Sequence, residues 1–89
     1  MMEVYVRTNY WDTPDNEGCN VTGVFRDIND AISVMRADAE KVKGYYPVDY
    51  WEEDMTWEDD CEIHLGRSAK SFGELATIHC WTITKIEVQ

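Results

Sequence analysis

The stretch that decides the fold runs from Asp27 to Gly44 and reads DINDAISVMRADAEKVKG. Its apolar residues recur at steps of three and four, which is the spacing of one face of an α-helix. Asp27 can cap the first free N–H groups of such a helix, and Gly44 suits the position just after its end. The spacing therefore predicts an amphipathic helix over residues 28–43, with a buried stripe made of Ile28, Ala31, Ile32, Met35, Ala39 and Val42.

Two strand-like segments precede the helix. Residues 2–10 alternate apolar and polar side chains with many β-branched and aromatic members, which is the period of a strand. Residues 12–18 (DTPDNEG) gather turn-forming types, and residues 20–25 (NVTGVF) again favour a strand. The order predicts a hairpin with a long connection between its arms.

The chain after the helix is harder to interpret. Residues 45–60 mix aromatic side chains with carboxylates around Pro47, and they fit either a short helix after that proline or an irregular loop pinned by its aromatic side chains. A short strand is predicted at 61–65 (CEIHL), followed by a turn at 66–68, whereas 69–75 favour no structure.

The last segment, residues 76–88 (ATIHCWTITKIEV), predicts a long strand. In a regular strand Trp81 and Ile83 point to one face, whereas Ile86 and Val88 point to the other. One extra residue would bring all four to the same face, so the pattern predicts a β-bulge near Thr84.

These elements predict one α+β domain over residues 1–89. A small antiparallel sheet of about four strands, in the order β-β-α-β-β, has the amphipathic helix packed on one face. Both terminal strands are long, which makes them candidate neighbours. We expect Ile32 and Met35 to pack on a sheet face formed by Val4, Val6 and Val24.

Charge excludes several functions. The 89 residues contain 18 acidic and 8 basic side chains, giving a net charge of −10. Such a chain repels phosphate backbones and anionic membrane surfaces, so direct nucleic-acid or membrane binding is not expected. No signal-peptide pattern opens the sequence and its cysteines number three, an odd count, so a cytoplasmic location is expected.

The negative charge is concentrated between Asp49 and Glu62. This segment holds eight carboxylates and no Lys or Arg, so the other 75 residues together carry only −2. It fits either a solvated loop whose tryptophans fold back into the core, or a surface that binds a basic partner through charge and aromatic anchors. The candidate partner-binding residues are Asp49, Tyr50, Trp51, Glu52, Glu53, Asp54, Trp57, Glu58, Asp59 and Asp60.

Metal and catalytic motifs are weak. No EF-hand pattern occurs in the acidic stretches, and no glycine-rich phosphate loop is present. Cys61, His64, His79 and Cys80 could ligate zinc by type, but strand geometry turns Cys61 away from His64 and His79 away from Cys80. We therefore predict no metal, no cofactor and no enzymatic activity. The alternative is a small enzyme or ligand-binding domain built on Cys80, His79 and His64.

With its short length, its acidic charge and the Asp49–Glu62 block, the chain resembles the small inhibitor proteins of phages and mobile elements, such as anti-CRISPR and anti-restriction proteins. The resemblance implies that surface carboxylates replace nucleic-acid phosphates on a basic effector. A CRISPR nuclease complex is the first candidate, and an immunity protein against a nuclease toxin is the alternative. Self-association through strand edges is opposed by the charge, so a monomer or weak homodimer is expected.

Overall fold

The computed structural model describes residues 2–13, 16–68 and 76–88. Its strands form an antiparallel sheet in the order β2-β1-β5-β4-β3, with a helix packed on one side. The α+β class is confirmed, with one strand more than predicted, because the acidic segment contributes a short edge strand. The elements are β1 (Met2–Asp12), β2 (Glu17–Phe25), α1 (Ile28–Lys43), a 3₁₀ turn (Glu53–Met55), β3 (Trp57–Glu58), β4 (Glu62–Arg67) and β5 (Thr77–Val88).

The helix α1 has the predicted limits. The Asn29 N–H donates to Asp27 Oδ1 at 2.8 Å, which satisfies one of the free donors at the helix start. At the other end, the Gly44 N–H donates to the carbonyl of Glu40 at 3.1 Å. The predicted stripe buries Ala31, Met35 and Ala39 almost completely, so α1 supplies half of a small core.

The sheet face under the helix is not the predicted one. Tyr5, directly opposite Phe25, lies on the helix side, and the buried side chains of β4 and β5 join it there. Val4, Val6 and Val24 alternate with these residues and therefore face the other way, so their predicted contact with Ile32 and Met35 is wrong. The strand β1 carries apolar or aromatic residues on both faces, and alternation alone could not choose between them. The sheet half of the core consists of Ile63, Leu65, Trp81 and Ile83.

The helix does not cover the opposite side of the sheet. Among the described elements, the 3₁₀ turn reaches its β4 end, where the Met55 carbonyl lies 2.8 Å from His64 Nδ1. We name this side the open face. Its members follow from the strand register, since directly opposed residues share a face. They include Met2, Val4, Val6, Thr8, Tyr10, Val21, Val24, Trp57, His64, Cys80, Thr82, Thr84, Ile86 and Val88.

One charged side chain is buried under the helix. Arg7 of β1 is only 5% exposed, and its guanidinium forms an ion pair with Asp38 of α1. A second N–H group of Arg7 donates to the carbonyl of Thr22 at 3.1 Å. These contacts join β1, β2 and α1 at one point.

The terminal strands are neighbours, as expected. A single register pairs β1 with β5 from Met2 opposite Val88 to Asp12 opposite Ile78, so the bulge predicted near Thr84 is wrong. Residues 84–88 extend past the buried core and are exposed, which allows apolar side chains on either face. The register shift lies instead in β2, where Thr22 is the extra residue.

Two connections also differ from prediction. The strands β1 and β2 reach Asp12 and Glu17, so the hairpin connection is short, and the Thr13 N–H donates to the carbonyl of Asn16 at 2.8 Å. The predicted turn at 66–68 begins as strand, because Gly66 and Arg67 still pair with β5. Residues 69–75, for which the sequence favoured no structure, lie outside the described residues.

Candidate partner-binding surface

The acidic segment begins on an aromatic cluster. Tyr46 and Tyr50 stack with ring centroids 4.4 Å apart, and Trp51 meets both rings edge-on at 4.9 Å. Trp51 also packs against the buried core, and its ring centroid lies 6.0 Å from that of His79 in β5. These contacts hold the start of the segment on the helix side of the sheet, where the loop interpretation placed its tryptophan.

Polar contacts pin the same stretch to β4 and β5. The Tyr50 hydroxyl lies 2.9 Å from the hydroxyl of Thr77, and the Arg67 guanidinium sits 4.4 Å from the Tyr50 ring centroid. Glu52 Oε1 accepts hydrogen bonds from the Ser68 N–H at 2.8 Å and the Ser68 hydroxyl at 2.6 Å. Tyr50, Trp51 and Glu52, all predicted to bind a partner, therefore hold the segment in place.

The 3₁₀ turn and β3 are fixed through His64. The ring of His64 stacks on Trp57 with centroids 4.0 Å apart and planes 4° apart. His64 Nδ1 lies 2.8 Å from the carbonyl of Met55, so the tautomer with its proton on Nδ1 donates a hydrogen bond there. Trp57 remains 46% exposed on the open face. The segment is thus not the short helix predicted after Pro47. It is an irregular loop pinned by its aromatic side chains, and it contains the 3₁₀ turn and β3.

The end of the segment is a tight turn into β4. Asp59 Oδ1 accepts from the N–H groups of Cys61 and Glu62, both at 2.8 Å. On either side of this residue, Arg36 of the helix reaches two carboxylates, Glu58 through Nε at 3.2 Å and Asp60 through Nη2 at 3.1 Å.

Three carboxylates of the segment point into solvent and have no cation beside them in the described part of the chain. Asp49, Glu53 and Asp54 are exposed, and no Lys, Arg or His among residues 2–13, 16–68 and 76–88 forms an ion pair with them. Six carboxylates of the predicted set are exposed in all, the other three being Glu58, Asp59 and Asp60. A cationic partner could approach them without displacing the segment.

The proposed catalytic trio does not converge. His79 faces the helix side, whereas His64 and Cys80 stand opposite each other on the open face. Burial lowers the pKa of His79, and neither of its ring nitrogens has a hydrogen-bond partner in the described part of the chain. Cys80 Sγ donates to Glu62 at 3.6 Å, and burial together with the Glu62 charge raises the Cys80 pKa to about 11. Cys80 is therefore a protonated thiol at neutral pH and a poor nucleophile.

Metal ligands are also dispersed. Within the three described ranges, no group of three or more His, Cys, Asp or Glu side chains is arranged to hold a metal ion. Cys61 is exposed in the turn before β4, away from His79.

A groove of about 560 Å³ lies between the end of α1 and the aromatic cluster. Glu40 and Lys43 line one part of it, and Trp51 and Thr56 line another. The Trp51 Nε1 and Thr56 Oγ1 atoms are buried and have no hydrogen-bond partner among the described residues. Cys80, His79 and His64, on which the ligand-binding alternative rests, do not line this groove, so it is a different concave site for a small ligand.

Sequence reasoning missed the residues that position the segment. No pattern in the sequence links Arg36 of the helix, or Tyr46, His64 and Arg67, to the acidic segment. The density of carboxylates is the one sequence signal that could have pointed to a cation such as Arg36. Eight carboxylates in a segment without Lys or Arg repel one another, so a cation from elsewhere in the fold is needed beside them. Arg36 supplies part of this positive charge.

The helix of the described chain is too short and too polar to cross a bilayer. No family model matches the sequence, and no curated protein and no solved structure is significantly similar to it.

Proposed function

We propose that the chain inhibits a basic, nucleic-acid-handling protein by binding its surface through the acidic segment, where carboxylates take the place of phosphates. The observation that carries this proposal is the set of six exposed carboxylates on a segment without any Lys or Arg. Arginine and lysine side chains that normally contact phosphate form charge-assisted hydrogen bonds with carboxylates equally well. The effector proposed first is a CRISPR nuclease complex of the host cytoplasm.

Pre-organisation supports the proposal. Ordering a loop on binding costs about 0.5–1.5 kcal/mol for each immobilised side chain that has many rotamers. Trp51, Glu52, His64 and Asp59 already hold the backbone of the segment. The exposed carboxylates therefore start from a fixed spacing, and less of the binding free energy is lost in ordering them.

Long-range electrostatics favour the same function. Concentrated negative charge attracts a positively charged channel over about one Debye length, which is about 8 Å at physiological ionic strength. Association is then faster with a basic surface than with a neutral one, and it slows as salt is added. An anti-restriction target or a nuclease toxin would present the same kind of surface, and these are the other members of the proposed target class.

The test is inhibition of a purified, guide-loaded CRISPR nuclease that cleaves a target plasmid. The variant Asp49→Lys/Glu53→Lys/Asp54→Lys reverses the three carboxylates that have no described cation and leaves the structural contacts of Glu52 intact. The control Glu17→Lys/Glu40→Lys/Glu87→Lys makes the same change in net charge at exposed positions elsewhere.

Losing three exposed ion pairs at about 0.2–1 kcal/mol each weakens binding by roughly 10-fold, and repulsion between the new lysines and the basic surface weakens it further. The control variant should inhibit like the wild type. Equal inhibition by the acidic-segment variant and the wild type would refute mimicry. If this nuclease is not inhibited, capture of proteins from a bacterial lysate in low salt, followed by their elution in high salt, identifies the basic partner.

A small-ligand-binding domain is the second candidate, favoured by the groove beside Trp51 and Thr56. Trp51 Nε1 and Thr56 Oγ1, which have no hydrogen-bond partner within residues 2–13, 16–68 and 76–88, would bond to a ligand that has both an acceptor and a donor. Protein-observed NMR with a fragment library tests it. Shifts confined to Lys43, Trp51 and Thr56 support the candidate, and a library without such shifts contradicts it.

A further inference from the structure

The open face carries most of the large apolar side chains that the described structure leaves exposed. Seven of the nine belong to it, and Val24 and Val21 are 62% and 59% exposed. The five others are Met2, Tyr10, Trp57, Ile86 and Val88. Contiguous patches of this kind on a small domain mark an interaction surface, whereas isolated apolar residues do not.

Cross-strand rows show how continuous the patch is. Val6 of β1 lies between Val24 of β2 and Thr84 of β5, and Val4 lies opposite Ile86. Thr8 and Thr82 lie opposite each other in the next row, and their hydroxyls hydrogen-bond to each other. These polar atoms would therefore keep a partner if the face were covered.

Charge distinguishes the occupants that this face could take. The described rows from Met2 and Val88 to Val6, Val24 and Thr84 have no ionisable side chain, although the chain carries −10 overall. Asp12 and Glu17 lie at the other end of the face, and Glu62 lies at its β4 edge, opposite Thr82. A basic partner would find little to pair with in the uncharged rows, whereas an equally uncharged, β-branched surface matches them. A second copy of this chain presents such a surface.

The dimensions of the face are also sufficient for a dimer. The strand β1 has 11 residues. At about 3.3 Å per residue, and with four longer strands about 4.8 Å apart, the face covers at most roughly 700 Å². A standard interface buries about 800 Å² on each partner, so the face is near the size needed for a specific, reversible contact.

We propose that two copies of this chain pack their open faces together as the two layers of a β-sandwich, about 10 Å apart, with the helices outside. A two-fold axis perpendicular to the strands places the acidic end of one copy, with Asp12 and Glu17, over the uncharged end of the other, with Met2 and Val88. The carboxylates of Asp12 and Glu17 in one copy are thereby kept apart from those in the other. The acidic segments remain exposed on the outer edges, so the dimer is independent of the proposed inhibition.

The test uses sedimentation equilibrium on three purified chains. Wild type should show twice the chain mass of 10.4 kDa at high concentration and dissociate on dilution. Val24→Arg places a charge in the uncharged rows and should weaken association at least about 10-fold, which corresponds to about 1.4 kcal/mol. Val48→Arg is the matched control, because Val48 is 99% exposed and lies off the sheet, and it should dimerise like wild type.

Circular dichroism confirms that each variant is folded, and Thr84→Arg replaces Val24→Arg if that variant unfolds. A wild-type chain that stays at 10.4 kDa up to the highest soluble concentration overturns the proposal. Dimerisation of a folded Val24→Arg chain with unchanged affinity overturns it as well. The acidic-segment variant Asp49→Lys/Glu53→Lys/Asp54→Lys should still dimerise, which separates this interface from the inhibitory one.

Discussion

The contact between Arg7 and Asp38 predicts a large effect from a small chemical change. Asp38→Asn keeps the shape of the side chain but removes its charge, and leaves a guanidinium that is 5% exposed with two neutral described acceptors, the Thr22 carbonyl and the new amide oxygen. Breaking a fully buried ion pair costs about 3–5 kcal/mol, and a hydrogen bond to a charged group contributes about 1.5–3 kcal/mol.

The Asp38 side chain is 42% exposed, so water can reach its position and compensate for part of the loss. We therefore expect Asp38→Asn to lower the free energy of unfolding by about 2 kcal/mol, a large fraction of the ~4–13 kcal/mol typical for a domain of this size. With a urea m-value of about 1–1.5 kcal/mol/M, the unfolding midpoint falls by roughly 1.3–2 M.

Urea unfolding followed by tryptophan fluorescence measures this shift, because Trp81 is fully buried in the core. Glu40→Gln is the matched control. It removes the same charge from the same helix, but the pair of Glu40 with Lys43 is on the surface, so at most about 0.5 kcal/mol is lost.

Arg7→Met should cost less than Asp38→Asn, because it leaves no buried cation behind and Asp38 can turn to water. In that background Asp38→Asn should add little. A midpoint for Asp38→Asn equal to that of Glu40→Gln would show that the buried guanidinium does not depend on its carboxylate.

Four further predictions concern the core, a close contact, a thiol and an imidazole. Met35→Ala should lower the free energy of unfolding by about 2–5 kcal/mol, since Met35 is fully buried. Arg36→Ala removes only two exposed ion pairs and should lower it by about 1 kcal/mol or less. Equal melting temperatures of the two variants would contradict the helix packing. Gly18→Ala brings a Cβ within 2.4 Å of the Trp11 ring and should cost about 1–3 kcal/mol, whereas at Gly44 the nearest atom lies 3.4 Å away, so chemical denaturation of Gly44→Ala should show a much smaller loss or none. At pH 8, iodoacetamide should modify the exposed Cys19 and Cys61 well before Cys80, whose pKa is about 11, and peptide mapping that found equal rates would contradict its burial. Because the pKa of His79 is lowered in the folded chain, the unfolded chain binds more protons below about pH 6.5, and the stability that depends on a neutral His79 is lost as pH falls. His79→Phe should therefore show a smaller decline in urea midpoint than the wild type between about pH 7 and 5. An unchanged slope would contradict this.

The helix could be predicted to the residue because its signals are local. Asp27 and Gly44 lie at its two ends, and the buried stripe repeats within a few residues along the chain. The side of the sheet that it covers could not be predicted in the same way. In β1 the valines and the aromatic residues alternate, so both faces look apolar until Ile83 and Trp81 of β5 are placed opposite Arg7 and Asn9.

The sequence identifies the acidic segment as the distinctive feature of the chain. It does not show which of the segment's side chains hold it in place and which face solvent. Contacts between distant parts of the chain decide which side chains point inward. Glu52 contacts Ser68, which is 16 residues away, and Trp51 contacts His79. No local pattern separates Glu52, held by hydrogen bonds, from Glu53, which faces solvent. Only the folded register does so.

The position of β5 between β1 and β4 determines when the chain can fold during its synthesis. Bringing Met2 beside Val88 closes a loop of nearly the whole described chain, at an entropic cost of roughly 4 kcal/mol, compared with about 1 kcal/mol for the β1–β2 hairpin. The hairpin and α1 leave the ribosome first, but they have no strand bearing Trp81 and Ile83 to pack against. Folding of the complete sheet is therefore slow for a domain of this size, and it begins only after the last strand has been translated.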